Sequence, residues 1–134
     1  SAIDLVVHTV AVPLENPELK KAKELNIPVI TYPVMLGLLS KNMYTIAVSG
    51  THGKTTTTAM IASILHKTEF DPTLIVGANI TDLDTNSLLG SGIYLLTEAD
   101  EYRKSFLNLY PSVLVITNID EDHLDFYKDS IILR

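Results

Sequence analysis

Residues 44–58 read Y-T-I-A-V-S-G-T-H-G-K-T-T-T-T. The first six are mostly apolar and include the β-branched Thr45, Ile46 and Val48, which predicts a buried strand, and a helix is predicted over residues 53–67. A loop containing Gly50 and Gly53 separates the two. Glycines let backbone N–H groups approach phosphate oxygens closely, and a helix N-terminus favours anions. This strand–loop–helix order therefore predicts a phosphate-binding site.

The residues that end the loop fit this chemistry. Lys54 supplies a positive charge for the outer phosphates, and the Thr55 hydroxyl is a ligand suited to Mg²⁺. The loop departs from the common G-x-x-x-x-G-K-[ST] pattern, because Val48 stands where the first glycine would be. The loop is therefore shorter than usual. A chance cluster of Gly, Lys and Thr is the alternative interpretation, and the threonines at 56–58 are expected mainly at the helix surface or in packing.

The remaining chain alternates predicted strands with predicted helices. Strands are expected at 5–12, 27–31, 73–76, 93–97 and 112–117, helices at 17–25, 34–39 and 103–109, a linker at 41–42 and a loop at 82–91. Strands that are apolar on both faces and alternate with helices are typical of parallel sheets. The fold class expected is therefore α/β.

Composition limits the function classes. Hydrophobic residues make up 46% and charged residues 19% of 134 residues, a balance typical of one globular domain. A net charge of −6 argues against a basic nucleic-acid binder. The chain has no cysteine, which excludes disulfides and thiolate metal sites and fits a cytoplasmic location. No apolar run is long enough for membrane insertion, and residues 1–4 do not start a signal peptide. The sequence opens almost directly into a predicted strand, so the natural chain is expected to begin earlier.

Three segments together resemble the Mur ligase family: G-T-H-G-K-T-T-T at 50–57, T-E-A-D-E-Y at 97–102 and T-N-I-D-E-D-H-L-D at 117–125. The resemblance covers nearly the whole chain. It implies a partial, parallel-sheet P-loop-type ATPase domain at residues 44–134. It also implies that residues 1–43 are the end of a Rossmann-like UDP-substrate domain. The adenine contacts and a third domain are then expected beyond residue 134, and this chain alone is expected to be inactive as a ligase.

The family resemblance also implies a reaction. Mur ligases use ATP and Mg²⁺ to activate a carboxylate as an acyl phosphate, which an amine then attacks, in peptidoglycan precursor synthesis. His52 resembles the members that join L-alanine to UDP-N-acetylmuramate, or the muropeptide ligases that join a peptide to it. UDP-N-acetylmuramate and L-alanine are therefore the expected substrates. A nonenzymatic nucleotide-binding module remains an alternative, and Val48 and the 117–123 segment argue against an unrelated kinase.

Matching motif positions imply the site residues. Lys54, Glu98 and His123 are expected to be catalytic, and Thr55, Glu98 and His123 to bind the metal. From the residues alone, Glu98 follows a predicted strand at the edge where α/β sheets bind ligands, with a solvated acidic loop as the alternative. For His123 a surface histidine is the alternative. The expected nucleotide-binding residues are Gly50, Thr51, His52, Gly53, Lys54, Thr55, Thr56 and Asn118.

Overall fold

The computed structural model of the chain describes residues 3–81, 83–100 and 102–120. The elements in this part follow one another as β1 (Val6–His8), α1 (Pro17–Glu24), β2 (Val29–Thr31), α2 (Tyr32–Asn42), β3 (Tyr44–Ser49), α3 (Lys54–His66), β4 (Thr73–Ile80), β5 (Thr85–Leu88), β6 (Tyr94–Glu98), a 3₁₀ helix (Tyr102–Asn108) and β7 (Val113–Ile116). Within these residues, no helix is long and apolar enough to cross a membrane.

The described strands form two sheets. β1 and β2 pair in parallel, and a second sheet has the strand order β5-β4-β6-β3-β7. β3 lies parallel to β6 and β7, and β4 lies parallel to β6, whereas β5 runs antiparallel to β4. The predicted α/β class with a largely parallel sheet is confirmed.

Several predicted boundaries were wrong. The expected loop at 82–91 contains β5, a polar strand whose order comes from pairing with β4 at Leu74↔Leu88. The expected strand at 5–12 ends at His8, and a turn follows in which Val12 N–H donates to the Thr9 carbonyl. The expected linker at 41–42 is the last turn of α2.

Local sequence explains where α1 begins. Asn16 Oδ1 accepts hydrogen bonds from the N–H groups of Glu18 (2.8 Å) and Leu19 (3.3 Å), and Pro17 occupies the first helical position. This is the N-cap arrangement that the sequence predicts. Leu19 and Ala22 then lie on the buried face of the helix, which packs against β2.

The core of the larger sheet lies under α3. Val48, Leu74 and Leu96 from three neighbouring strands are at most 1% exposed, and Ala62 of α3 is fully buried among them. On the other face, α2 packs against β3 and the 3₁₀ helix. The approach is close, because a Cβ added at Gly37 would overlap the carbonyl of Asn108.

The strand register determines which chain segments meet. Val48 of β3 is paired with Glu98 of β6, and Ser49 is paired with Ile116 of β7. Because these strands are parallel, their carboxyl ends lie at one edge of the sheet. The loop after β3, the last residue of β6 and the segment after β7 are therefore neighbours, although they are far apart in sequence.

Candidate functional site

The loop between β3 and α3, residues 50–53, is called the glycine loop here. Gly50 has φ +133° and Gly53 has φ +81°, both in the region that favours glycine. A Cβ at Gly50 would overlap the Thr117 hydroxyl and lie 2.9 Å from the Asn118 carbonyl oxygen. Gly53 is the N-cap of α3 and has no side chain to accept from the helix's first N–H groups. The helix therefore begins without the side-chain cap that would compete with an anion.

The side chains that follow the glycine loop differ in their surroundings. Lys54 is half-buried, and its Nζ donates to the Gly50 carbonyl at 2.6 Å, so the ammonium lies folded back over the loop. Thr55 and Thr56 are exposed. Thr58 is fully buried and donates to the Lys54 carbonyl at 2.8 Å, which confirms the predicted packing role for this threonine.

The segment after β7 is hydrogen-bonded to the glycine loop. Asn118 Nδ2 donates to the His52 carbonyl (2.9 Å), and its Oδ1 accepts from His52 N–H (3.0 Å). The Thr117 hydroxyl donates to the same His52 carbonyl at 2.6 Å. Two residues after Asn118, the Asp120 carbonyl accepts a hydrogen bond from Thr51 Oγ1, which in turn accepts one from Asp120 N–H, both at 3.0 Å. The loop is thus held by a segment about 65 residues away, an arrangement that the sequence did not predict.

Glu98 is the last residue of β6 and lies one strand away from the glycine loop. Its Oε1 atom is buried and has no hydrogen-bond partner among the described residues. Gly77 lies in the neighbouring strand β4, and a Cβ added to it would lie 3.0 Å from Glu98 Oε2. A buried polar atom without a partner costs roughly 1–3 kcal/mol, and more when it is charged. An oxygen that lacks a partner in this way is suited to a cation.

Glu98 and Thr55 carry oxygen ligand atoms of the kind that Mg²⁺ binds. Among the described residues, no group of three His, Cys, Asp or Glu side chains could hold a metal ion. Mg²⁺ is usually bound through one or two carboxylates together with waters and substrate phosphates. Glu98 and the Thr55 hydroxyl are the described residues that fit such a site. His123, the third expected ligand, lies outside the described residues.

A cavity of about 350 Å³ opens beside Glu98. One wall comes from the segment after β1 and the start of α2, including Val10 and Tyr32, and the other includes Glu98, Asp100 and Phe106. Burial, and then the negative charges of Asp100 and Glu98, raise the pKa of the Tyr32 phenol. The phenol is therefore a neutral hydrogen-bond donor facing two carboxylates. No sequence pattern points to Tyr32, because its part in the cavity depends on the position of α2.

Two family models match the chain. The Mur ligase middle domain matches residues 48–131, and the model described as Mur ligase family, catalytic domain, matches residues 1–44. Among curated proteins, the UDP-N-acetylmuramate–L-alanine ligase of Clostridium kluyveri is 51% identical over 130 residues, which are 96% of this chain and 28% of the relative. The ligase of the same name from Geotalea uraniireducens is 52% identical over 127 residues, 95% of this chain and 28% of the relative.

Solved structures give the same assignment. The UDP-N-acetylmuramate–alanine ligase of Thermotoga maritima superposes with a TM-score of 0.82 at 36% identity, covering 97% of this chain and 31% of that chain. The UDP-N-acetylmuramate:L-alanyl-γ-D-glutamyl-meso-diaminopimelate ligase from Neisseria meningitides has a TM-score of 0.77 at 24% identity, covering 97% and 45%, and this likeness shows the fold alone. The chain spans 28% of the length of the curated relatives that it matches. The middle-domain model covers more than half of the residues, and the chain belongs to the Mur ligase family.

Proposed function

We propose that this chain is the nucleotide-binding part of an ATP-dependent ligase that joins L-alanine to UDP-N-acetylmuramate in peptidoglycan precursor synthesis. The observation that carries the proposal is the buried, unpartnered Glu98 Oε1, one strand away from a glycine loop that opens a helix. The names of relatives about 50% identical to the chain support the choice of substrates. The proposed location is the cytoplasm.

The glycine loop and α3 would bind the triphosphate of ATP. The first-turn N–H groups of α3 and the helix dipole favour negative charge, and the N-cap Gly53 adds no competing side chain. Lys54 Nζ, now bonded to the Gly50 carbonyl, is close enough to the loop to exchange that contact for a phosphate oxygen. Thr51, His52 and Thr56 would shape the loop and its entrance.

Glu98 and Thr55 would hold Mg²⁺ against the phosphates. Mg²⁺ would neutralise charge that develops on the transferred phosphoryl group. Glu98 is suited to this role because its Oε1 atom is already withdrawn from solvent without a protein partner. His123 stays a proposed ligand on the family resemblance alone. Asn118, expected to bind the nucleotide, is proposed to hold the loop instead.

The cavity beside Glu98 would receive the carboxylate that is activated. It lies next to the proposed metal site and is lined on its far side by Tyr32, whose neutral phenol can donate a hydrogen bond to an anion. A carboxylate placed there would accept the phosphoryl group to give an acyl phosphate. The amine of L-alanine would then displace phosphate, which forms the amide bond.

Calorimetry of Mg-ATP binding to this chain tests the nucleotide part of the proposal. Lys54→Ala should weaken binding at least about tenfold, because a charge-assisted hydrogen bond contributes about 1.5–3 kcal/mol. Lys20→Ala, on the exposed face of α1, is the matched control and should bind as the wild type does. A folded wild-type chain that does not bind Mg-ATP, or a Lys54→Ala variant with unchanged affinity, would overturn the proposal.

Product analysis tests the reaction in a polypeptide that contains this chain. Phosphate release should require both UDP-N-acetylmuramate and L-alanine. Release that requires a peptide instead of L-alanine would indicate a muropeptide ligase. Transfer of phosphate to a stable acceptor would indicate a kinase and would contradict the ligase assignment.

A further inference from the structure

The glycine loop is too short to hold its own shape. In the common phosphate loop the first glycine would stand at position 48, but Val48 is a fully buried strand residue, paired with Glu98 on one side and Val115 on the other. Only residues 50–53 separate the last residue of β3 from the first residue of α3. Four residues offer few internal hydrogen bonds, so the loop conformation depends on contacts from outside.

Three of those contacts converge on His52, and others reach Thr51. The Asn118 amide engages both the N–H and the C=O of His52, at 3.0 and 2.9 Å, and Thr117 Oγ1 donates to the same carbonyl at 2.6 Å. The backbone of the segment adds a fourth contact, since Thr51 N–H donates to the Asn118 carbonyl at 3.3 Å. We call Thr117 and Asn118 the His52 clamp. Its position is fixed because β7 pairs with β3 up to Ser49↔Ile116.

We infer that the His52 clamp holds the glycine loop in its nucleotide-binding shape before the nucleotide arrives, and that Thr117 and Asn118 are positioning residues acting through His52. This inference rests on the proposed nucleotide site. Both polar atoms of the Asn118 amide are engaged by the loop backbone, so the side chain acts on the protein itself. The N–H groups of Thr51 and His52 are also occupied by Asn118. Among residues 51–53, the backbone donor left for phosphate is therefore the N–H of Gly53, at the start of α3.

The clamp should matter for affinity because of conformational entropy. A loop residue that is already fixed in the free protein does not have to be ordered when a ligand binds. Without the clamp, that ordering would oppose binding. Loss of the clamp should weaken nucleotide binding about tenfold, the factor that corresponds to about 1.4 kcal/mol. The affinity for inorganic triphosphate should fall by the same factor as the affinity for ATP, because the clamp shapes the backbone that binds the phosphates.

The test compares Asn118→Ala and Thr117→Val with wild-type chain. Thr117→Val keeps the side-chain shape and removes only the hydroxyl, so it also serves if Asn118→Ala does not fold. Asn42→Ala is the matched control, because it likewise removes an Asn Nδ2 bond to a backbone carbonyl (Leu38, 2.8 Å) but lies in α2. Two quantities are measured: hydrogen exchange of the His52 amide in the free chain, and the calorimetric affinity for Mg-ATP and for inorganic triphosphate.

In Asn118→Ala, exchange at His52 should accelerate about tenfold or more, and both affinities should fall by a similar factor, about tenfold. Thr117→Val should show smaller changes in the same direction, and Asn42→Ala none. Weaker binding with wild-type exchange at His52 would mean that Asn118 contacts the ligand directly, and would overturn the inference. Faster exchange with unchanged affinity would overturn it too. A wild-type chain that binds neither probe would instead refute the proposed nucleotide site, whatever the exchange rates show.

Discussion

Gly77 of β4 faces the carboxylate of Glu98 across the sheet, and a methyl group added to its Cα would lie 3.0 Å from Glu98 Oε2. Because Gly77 has no side chain, nothing at this position displaces the Glu98 carboxylate. Because Gly77 does not have a positive φ, alanine is compatible with its backbone. The contact links a residue without any functional group to the proposed metal site.

Gly77→Ala should weaken Mg²⁺-dependent nucleotide binding while the fold is retained. Alanine would displace the carboxylate by a few tenths of an ångström, and since a misplacement of about 1 Å can cost about a hundredfold, a loss of several-fold is expected. Calorimetry with and without Mg²⁺ measures it. In a Glu98→Gln background the same substitution should have almost no further effect, whereas additive losses would show that Gly77 acts by another route.

Glu98→Gln should separate stability from metal binding. The substitution should leave the thermal midpoint of the free chain unchanged or raise it, because Oε1 of the Glu98 carboxylate is buried without a hydrogen-bond partner among the described residues. The affinity for Mg-ATP should fall at least about tenfold, as expected when a metal site is disturbed. Metal-free ATP binding should change much less. Equal losses in the two conditions would argue against a magnesium role for Glu98.

The two loop glycines should respond differently to alanine. Gly53 has a positive φ but an added Cβ would meet no atom within 4 Å, so Gly53→Ala should cost only the left-handed conformation, about 1–2 kcal/mol. Gly50→Ala would in addition push against Thr117 and Asn118. Exchange of the His52 amide should therefore accelerate in Gly50→Ala and stay close to wild type in Gly53→Ala. The same acceleration in both variants would contradict this distinction.

Much of the larger sheet was predictable because its signals are local. β3 is a mostly apolar, β-branched run that is followed by a glycine, so its bounds were predicted without error, and α3 was predicted to within one residue. β5 was missed because Thr85–Leu88 carries no apolar alternation and is ordered by its neighbour β4. The end of α2 was missed for a related reason. Lys41 and Asn42 are polar and exposed, so they resemble a linker, although they form the last turn of this mostly apolar helix.

The site was predictable only where residue type signals chemistry. Lys54, Thr55 and Glu98 carry charges or ligand atoms that suit nucleotide chemistry, and the pairing of β3 with β6 places the glycine loop and Glu98 at one edge of the sheet. The contacts between His52 and Asn118 join residues 66 positions apart. They arise from the pairing of β3 with β7, which has no local signature. The sequence motif could therefore name Asn118 as a site residue, but not the contacts that it makes with His52.

Part of the chain's stability should depend on pH in the acid range because of Asp71. Its Oδ2 accepts from Ser91 N–H (2.8 Å) and from the Ser91 hydroxyl (2.6 Å), which ties the start of β4 to the turn before β6. The Ser91 hydroxyl, then the Ser91 N–H, lower the pKa of the Asp71 carboxyl below its usual 3.8. A lowered folded-state pKa means that the native state favours the carboxylate. The contribution is therefore complete above the unfolded-state pKa and is lost as the pH falls through the folded-state value.

Asp71→Asn isolates that charge. Asn tolerates the left-handed backbone found at Asp71 (φ 41°) and keeps an oxygen for Ser91, so the variant should fold and be somewhat less stable than wild type at pH 7. Between neutral pH and pH values below 3.8, the wild type should lose stability more steeply than the variant, so that the two converge. Chemical denaturation across this range measures the difference, and Asp4→Asn controls for the change in net charge. A constant gap between wild type and Asp71→Asn at all pH values would show that the carboxylate does not carry the effect.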